Sequence, residues 1–199
     1  ADYFENCLLK LGLKTNSHIV SNGRKNVWGV LKGKGIGPTI LLAGHLDTVG
    51  VEGYKDPFIP RIKGDRIYGR GACDMKGGLA AILETIRILI EAKISINGDI
   101  IIAGIVDEED AMIGSKYFGQ YGPKIDFAIV AEPTDLTICP RHKGQICFGI
   151  KTYGRAAHSS MPHNGINAIY HMSMVIEKLR ELAENLTQRE IDPISGYPS

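Results

Sequence analysis

The sequence predicts an α/β fold: a mostly parallel sheet flanked by helices, followed by the start of a smaller α+β domain. Three observations carry this. Short, almost wholly apolar runs at residues 39–43, 99–106 and 126–131 read as strands buried on both faces. A helix-period segment at 75–92 separates the first of these strands from the second. Alternation of buried strands with helices is the pattern of a parallel sheet covered on both sides.

In chain order, residues 1–13 read as the end of an amphipathic helix, with Phe4, Leu8, Leu9 and Leu11 on its apolar side. Residues 27–32 predict a strand, and 39–43 a buried strand ending at Gly44. The Gly- and Pro-containing stretch 50–71 predicts loop with one strand pair, 59–62 and 66–68. In 75–92, Leu79, Ile82, Leu83, Ile86 and Leu89 recur at spacings of three and four, and Asp74 stands where an N-cap belongs. Residues 99–106 predict a strand, 115–120 a short helix, and 126–131 a strand ended by Pro133. The pattern changes near residue 140. Residues 145–153 alternate, with Ile146, Phe148 and Ile150 on one side, as in a half-exposed antiparallel strand. A long helix over 166–186 follows, with Ile169, Met172, Ile176, Leu179, Ala183 and Leu186 as its stripe. One strand and one helix do not bury each other's apolar faces. The expected organisation is therefore the N-terminal portion of one domain over 1–140 and the beginning of a second over 141–199, both incomplete.

A formal net charge of +1 gives no electrostatic footprint for nucleic acid, and the longest apolar stretches are far too short to span a membrane. Cys7, Cys73, Cys139 and Cys147 are scattered, with no close pair to suggest a disulfide framework or zinc knuckle. With no basic-then-apolar leader, these features predict a cytoplasmic location.

The informative polar residues stand at strand ends. His45 and Asp47 follow the strand 39–43, Glu108 and Glu109 follow 99–106, Glu132 follows 126–131, and Asp74 opens the main helix. In a parallel sheet these positions gather at the carboxyl edge, where open α/β folds place their sites. One histidine and several carboxylates there repel strongly unless a cation sits among them. Singly, each has a plain alternative: a His–carboxylate pair, a helix cap, a solvated acidic turn, a strand end.

Five segments in order carry a family resemblance: Gly44-His45-Leu46-Asp47-Thr48-Val49, Gly69-Arg70-Gly71-Ala72-Cys73-Asp74-Met75-Lys76-Gly77-Gly78, Asp107-Glu108-Glu109, Glu132-Pro133-Thr134, and Gly154-Arg155-Ala156-Ala157-His158-Ser159-Ser160. Nearly the whole chain resembles the co-catalytic dinuclear zinc aminoacylase/carboxypeptidase family of acetylornithine deacetylases, succinyl-diaminopimelate desuccinylases and glutamate carboxypeptidases. The resemblance implies two Zn2+ ions, with Co2+ or Mn2+ as substitutes. It places His45, Asp74 and Glu132 on one ion, and Asp74 as a bridge to the second ion beside Glu109. Asp47 is implied to orient the His45 imidazole, and Glu108 to be the general base. His158 is implied to lie on a dimerisation domain and to stabilise the oxyanion of the tetrahedral intermediate. A further histidine ligand is implied beyond residue 199, so the segment alone is expected to be inactive.

The implied reaction is hydrolysis of the amide bond of an N-acyl amino acid, by a homodimer. Arg141-His142-Lys143-Gly144 after Glu132-Pro133-Thr134 favours the deacetylase and desuccinylase branch. A dipeptidase or carboxypeptidase is the near alternative. A non-catalytic metal-binding or dimerising relative is the alternative of another class, and a metal-free module using its acidic edge for a basic partner is the most distant.

Overall fold

The computed structural model describes residues 1–196 and divides the chain into two compact units, Ala1–Leu136 and Thr137–Ser199. The first is built from α1 (Asp2–Lys10), β1 (Lys14–Ser21), β2 (Arg24–Leu31), β3 (Ile40–His45), β4 (Arg61–Lys63), β5 (Arg66–Tyr68), α2 (Gly78–Glu91), β6 (Ile100–Ile105), α3 (Ile113–Tyr121) and β7 (Phe127–Val130).

Five strands form one mixed sheet in the order β1-β2-β6-β3-β7, and β4 and β5 pair separately as a small hairpin. Strands β6, β3 and β7 are mutually parallel, with Ala43 opposite both Ala103 and Val130. The β1 and β2 strands extend the sheet antiparallel on the β6 side. Strand β1 is an element that hydrophobic patterning does not reveal. Its sequence, Lys14-Thr15-Asn16-Ser17-His18-Ile19-Val20-Ser21, is mostly polar, and it is held as an edge strand by its ladder to β2.

Side chains on the two faces of the sheet make two cores. Phe4 and Leu8 of α1 and Leu79, Ile82 and Ile86 of α2 pack with Val27 and Ile102 on one face. Phe118 of α3 packs with Trp28, Leu41, Ala43, Ile101, Ala103 and Ile105 on the other. Each such buried aliphatic or aromatic side chain contributes about 1.5–3 kcal/mol relative to exposure. Leu9, assigned to the apolar side of α1, is instead exposed, because the buried stripe of this short helix is only Phe4 and Leu8 wide.

Two glycines let α2 seat deeply. A Cβ on Gly44 would lie 2.5 Å from the Met75 methyl, and one on Gly78 would lie 2.1 Å from the Ala131 carbonyl oxygen. The start of α2 is thus wedged against the ends of β3 and β7, which bear His45 and precede Glu132.

The second unit carries a turn at Pro162–Asn164 and α4 (Ala168–Thr187), capped by Asn167, whose Oδ1 accepts the Ile169 N–H at 2.9 Å. The strand expected over 145–153 does not form: those residues join no ladder among the described residues, and Ile146 and Phe148 are exposed. Alternation supplies a face, but a strand also needs a partner for its backbone groups. The stripe of α4 has no apolar surface packed over it among the described residues, with Ile169 and Ile176 both exposed.

Candidate metal centre

The carboxyl ends of β3, β6 and β7 bring His45, the Glu108–Glu109 turn and Glu132 to one edge, and the turn before α2 adds Asp74. His45 ends β3 and is 3% exposed. Its Nδ1 lies 3.0 Å from the Asp47 main-chain carbonyl oxygen. A carbonyl only accepts, so Nδ1 carries a hydrogen and Nε2 is the atom turned to the carboxylates. From Nε2, Asp74 Oδ1 is 2.9 Å away, Glu132 Oε2 3.9 Å and Glu108 Oε2 4.0 Å.

Asp74 does not cap a helix. Residues Ala72–Gly77 form an irregular turn in which Asp74 has extended backbone angles, and the residue preceding α2 is Gly77, without a side-chain cap. The Asp74–Met75 peptide is cis. Fully buried Met75 anchors the turn, and its sulfur accepts the His45 N–H at 3.1 Å. The anchor delivers the Asp74 carboxylate to the imidazole.

Asp47 acts more widely than on the imidazole alone. Its carboxylate accepts the Glu108 N–H at 3.2 Å and the Glu109 N–H at 3.1 Å. Its Oδ1 is 3.7 Å from His45 Nδ1, so the main-chain carbonyl makes the shorter contact to the ring. Asp47 therefore ties the loop after β3 to the turn after β6. Glu109 is further held by the Val49 N–H, 3.3 Å from its Oε1.

Two overlapping donor sets result. One ligand atom each from His45, Asp74 and Glu132, or from His45, Glu108 and Glu109, lie within 4.8 Å of one another. The imidazole is buried, whereas the Asp74, Glu108 and Glu132 side chains are 53%, 43% and 35% exposed. The floor is buried and the mouth is open.

The charges are unbalanced. Burial opposes the charged imidazole, yet the Asp74 hydrogen bond and the Glu132 carboxylate outweigh it and raise the His45 pKa above its ordinary 6.5. Burial pushes Glu132 upward too; proximity to His45 opposes this, and the Asp74, Glu108 and Glu109 carboxylates reinforce it. Both shifts favour the protonated form, the direction in which a surplus of carboxylates around one imidazole pulls. A divalent cation on the Nε2 side satisfies the same demand, so one nitrogen and several oxygens facing one space fit such an ion.

His158 lies in the second unit, exposed, in the loop before the Pro162–Asn164 turn. Its Nδ1 receives the Ser160 N–H at 3.3 Å and lies 2.8 Å from Ser160 Oγ. Missing from the sequence reading was Asn26, whose buried side chain bonds to the residue before Asp107. The only signal for it is position: Asn26 follows Arg24 and Lys25 and directly precedes the apolar run of β2 from Val27 to Leu31.

Comparison with known proteins identifies relatives of the chain. Residues 41–198 match the model for peptidase family M20/M25/M40. An acetylornithine deacetylase from Buchnera aphidicola subsp. Schizaphis graminum is 41% identical over 166 residues, covering 80% of this chain and 43% of that protein. Another acetylornithine deacetylase, from Edwardsiella ictaluri, is 37% identical over 196 residues, covering 96% of this chain and 50% of that protein. The chain thus spans about half the length of these relatives or somewhat less. Among solved structures, a tripeptidase from Staphylococcus aureus subsp. aureus Mu50 aligns with a TM-score of 0.66 at 23% identity, over 88% of this chain and 49% of that one. An M20 family metallo-carboxypeptidase from Sulfolobus solfataricus aligns with a TM-score of 0.54 at 29% identity, over 65% of this chain and 31% of that one. With a match over most of its length and the strand-end cluster inside it, the chain belongs to peptidase family M20/M25/M40.

Proposed function

We propose that this chain is the metal-binding part of a zinc-dependent hydrolase that cleaves the amide bond of an N-acyl amino acid. The observation that carries the reading is the His45 Nε2 atom facing Asp74, Glu108 and Glu132 within 4.0 Å. The acetylornithine deacetylase relatives support the deacetylase branch.

In this reading His45, Asp74 and Glu132 would hold one Zn2+, and Asp74 and Glu109 would hold a second, with Co2+ or Mn2+ as substitutes. Paired ions of this kind polarise an amide carbonyl and lower the pKa of water. The remaining work falls to the protein. Glu108 is the general base: it takes the proton of the attacking water and passes it to the leaving amine nitrogen. Asp47 holds the main chain of Glu108 and Glu109, so that one serves as free base and its neighbour as ligand. His158 donates to the oxyanion of the tetrahedral intermediate. The Ser160 N–H supports this assignment, because by occupying Nδ1 as a donor it leaves the ring hydrogen on Nε2. An oxyanion donor of this kind is worth about 2.7–4 kcal/mol. The second unit serves as a dimerisation domain, the whole protein is a cytoplasmic homodimer, and its substrates are small molecules. Cleavage of a peptide substrate is the second reading, favoured by the likeness to the Sulfolobus solfataricus metallo-carboxypeptidase.

Acetate release from N-acetylornithine, set against C-terminal cleavage of a dipeptide, tests the choice in the whole protein. Acetate release that falls at least about 100-fold in Glu108→Gln supports the reading. Dipeptide cleavage alone moves the protein to the peptidase branch, and full activity of Glu108→Gln removes Glu108 as the base.

A further inference from the structure

The Glu108–Glu109 turn is fixed by β2 as well as by Asp47. Strand β2 pairs with β6 only from Val27 opposite Gly104 to Leu31 opposite Ile100. Beyond the Val27–Gly104 pair the side chain of Asn26 takes over from the backbone. Its Oδ1 accepts the Val106 N–H at 3.0 Å, and its Nδ2 donates to the Gly114 carbonyl at 2.8 Å. Asn26 is 0% exposed, and both ends of its amide are used. It bridges the residue before Asp107 to the first turn of α3, the two ends of the segment that carries Glu108 and Glu109.

Two residues earlier on the same side of β2, Arg24 continues the brace. Its Nη2 lies 2.5 Å from Asp107 Oδ1, and Asp107 is 1% exposed. Asp107 has φ of +68°, a left-handed conformation uncommon for a residue with a side chain. Its carbonyl accepts the Met112 N–H at 2.7 Å, and its Oδ2 accepts the Ile113 N–H at 3.3 Å. The joint has no slack: a Cβ on Gly114 would lie 1.8 Å from the Val106 carbonyl oxygen. Removing one partner from such a buried network leaves the other unsatisfied, so the segment relaxes as a unit.

We propose that Asn26, seconded by Arg24, is a positioning residue for the general base Glu108 and the ligand Glu109. It acts by locking the turn between β6 and α3 from the side opposite Asp47. Asn26 is fully buried and belongs to neither donor set, so it acts through the two glutamates. The roles of the two glutamates rest on the function proposed above; the mechanical role of Asn26 does not.

Residue-resolved amide hydrogen exchange separates positioning from general destabilisation. The samples are the 199-residue chain, Asn26→Ala, Arg24→Met, and Val27→Ala as a neighbouring core control. In Asn26→Ala the Glu108 and Glu109 amides are expected to exchange at least tenfold faster, with residues 41–43 of β3 changing less than threefold. Arg24→Met, which opens no core position, is expected to show the same selectivity at smaller amplitude, and it carries the test should Asn26→Ala not fold. Val27→Ala is expected to accelerate both groups alike. Equal acceleration of the turn and β3 in the Asn26 and Arg24 variants, or no acceleration in either, overturns the proposal. Zinc affinity of Glu109→Gln is measured alongside. An unchanged affinity there, with turn selectivity intact, removes the metal role of Glu109 and leaves the positioning role of Asn26 standing.

Discussion

The two ends of the sheet treat their charges in opposite ways. At the amino end of β6, Asp99 is matched on both oxygens: Oδ2 meets Lys32 Nζ at 2.6 Å and Oδ1 accepts the Gly33 N–H at 3.0 Å. At the amino end of β7, Asp126 Oδ2 accepts the Thr39 N–H at 2.7 Å. At the carboxyl end, His45 faces more carboxylates than one imidazole can neutralise. The pKa directions record the contrast. Lys32, and then the Gly33 amide, hold Asp99 below its ordinary 3.8, whereas burial and neighbouring carboxylates hold Glu132 above its ordinary 4.5. One end is a structural joint that stabilises the fold as it stands. The other is held at a cost to the metal-free protein, which is the mark of a site that awaits a positive ligand.

The largest expected effect is at Glu132. Glu132→Gln should weaken Zn2+ affinity by at least about 100-fold, beyond the 10–100-fold typical of losing a group that merely supports a ligand. It should also raise the stability of the metal-free protein by relieving repulsion. Zinc competition titrations and metal-free denaturant melts check the two halves. A variant that binds zinc normally, or that loses metal-free stability, breaks the contrast.

The pH dependence sharpens it. In metal-free protein, His45 and Glu132 have folded pKa values raised above 6.5 and 4.5. Their contribution to stability is present below those values and is lost as pH rises through the raised folded ones. Zinc binding runs the other way, because the ligands must shed protons. Affinity should therefore strengthen on raising the pH through the His45 transition, while metal-free stability declines. Melts with and without zinc from pH 5 to pH 9 measure both, within about the range in which histidine and displaced carboxylates titrate. Saturation at 100 times the dissociation constant should add about 2.7 kcal/mol.

The smallest effect is at the amino end. Asp99→Asn should cost about 1 kcal/mol or less, since its partner Lys32 is largely solvent-exposed. Its sign is opposite to that at Glu132: the Asp99 contribution is present above pH 3.8 and is lost as pH falls through its lowered folded value. Zinc affinity should not change. A loss of zinc affinity in this variant would mean that the two ends are not independent.

How much of this was legible depended on burial. The core strands and α2 announce themselves because runs such as Ile100-Ile101-Ile102-Ala103-Gly104-Ile105 are apolar throughout, and because Leu79, Ile82 and Ile86 repeat at helical spacing. Strand β1 did not, since hydrogen bonds to β2 rather than apolar contacts define it. The expectation of a strand at 145–153 failed through the converse: alternation was present and a ladder was not. His45, Asp74, Glu108, Glu109 and Glu132 were legible as a set because parallel strands align their ends. Asp74 alone reads as a helix cap, and only the irregular turn anchored by Met75 shows its carboxylate directed to His45. The use of the Asp47 carboxylate on two backbone N–H groups, and the bridge made by Asn26, depend on angles and distances that residue types do not encode.

The most direct test of the central claim is zinc content per folded chain by elemental analysis, at neutral pH and without chelator, beside a His45→Ala control. At least one zinc per chain, lost in the control, is the predicted result. Folded protein that takes up no zinc, or that keeps its zinc when His45 is replaced, would contradict the assignment of the strand-end cluster as a metal centre.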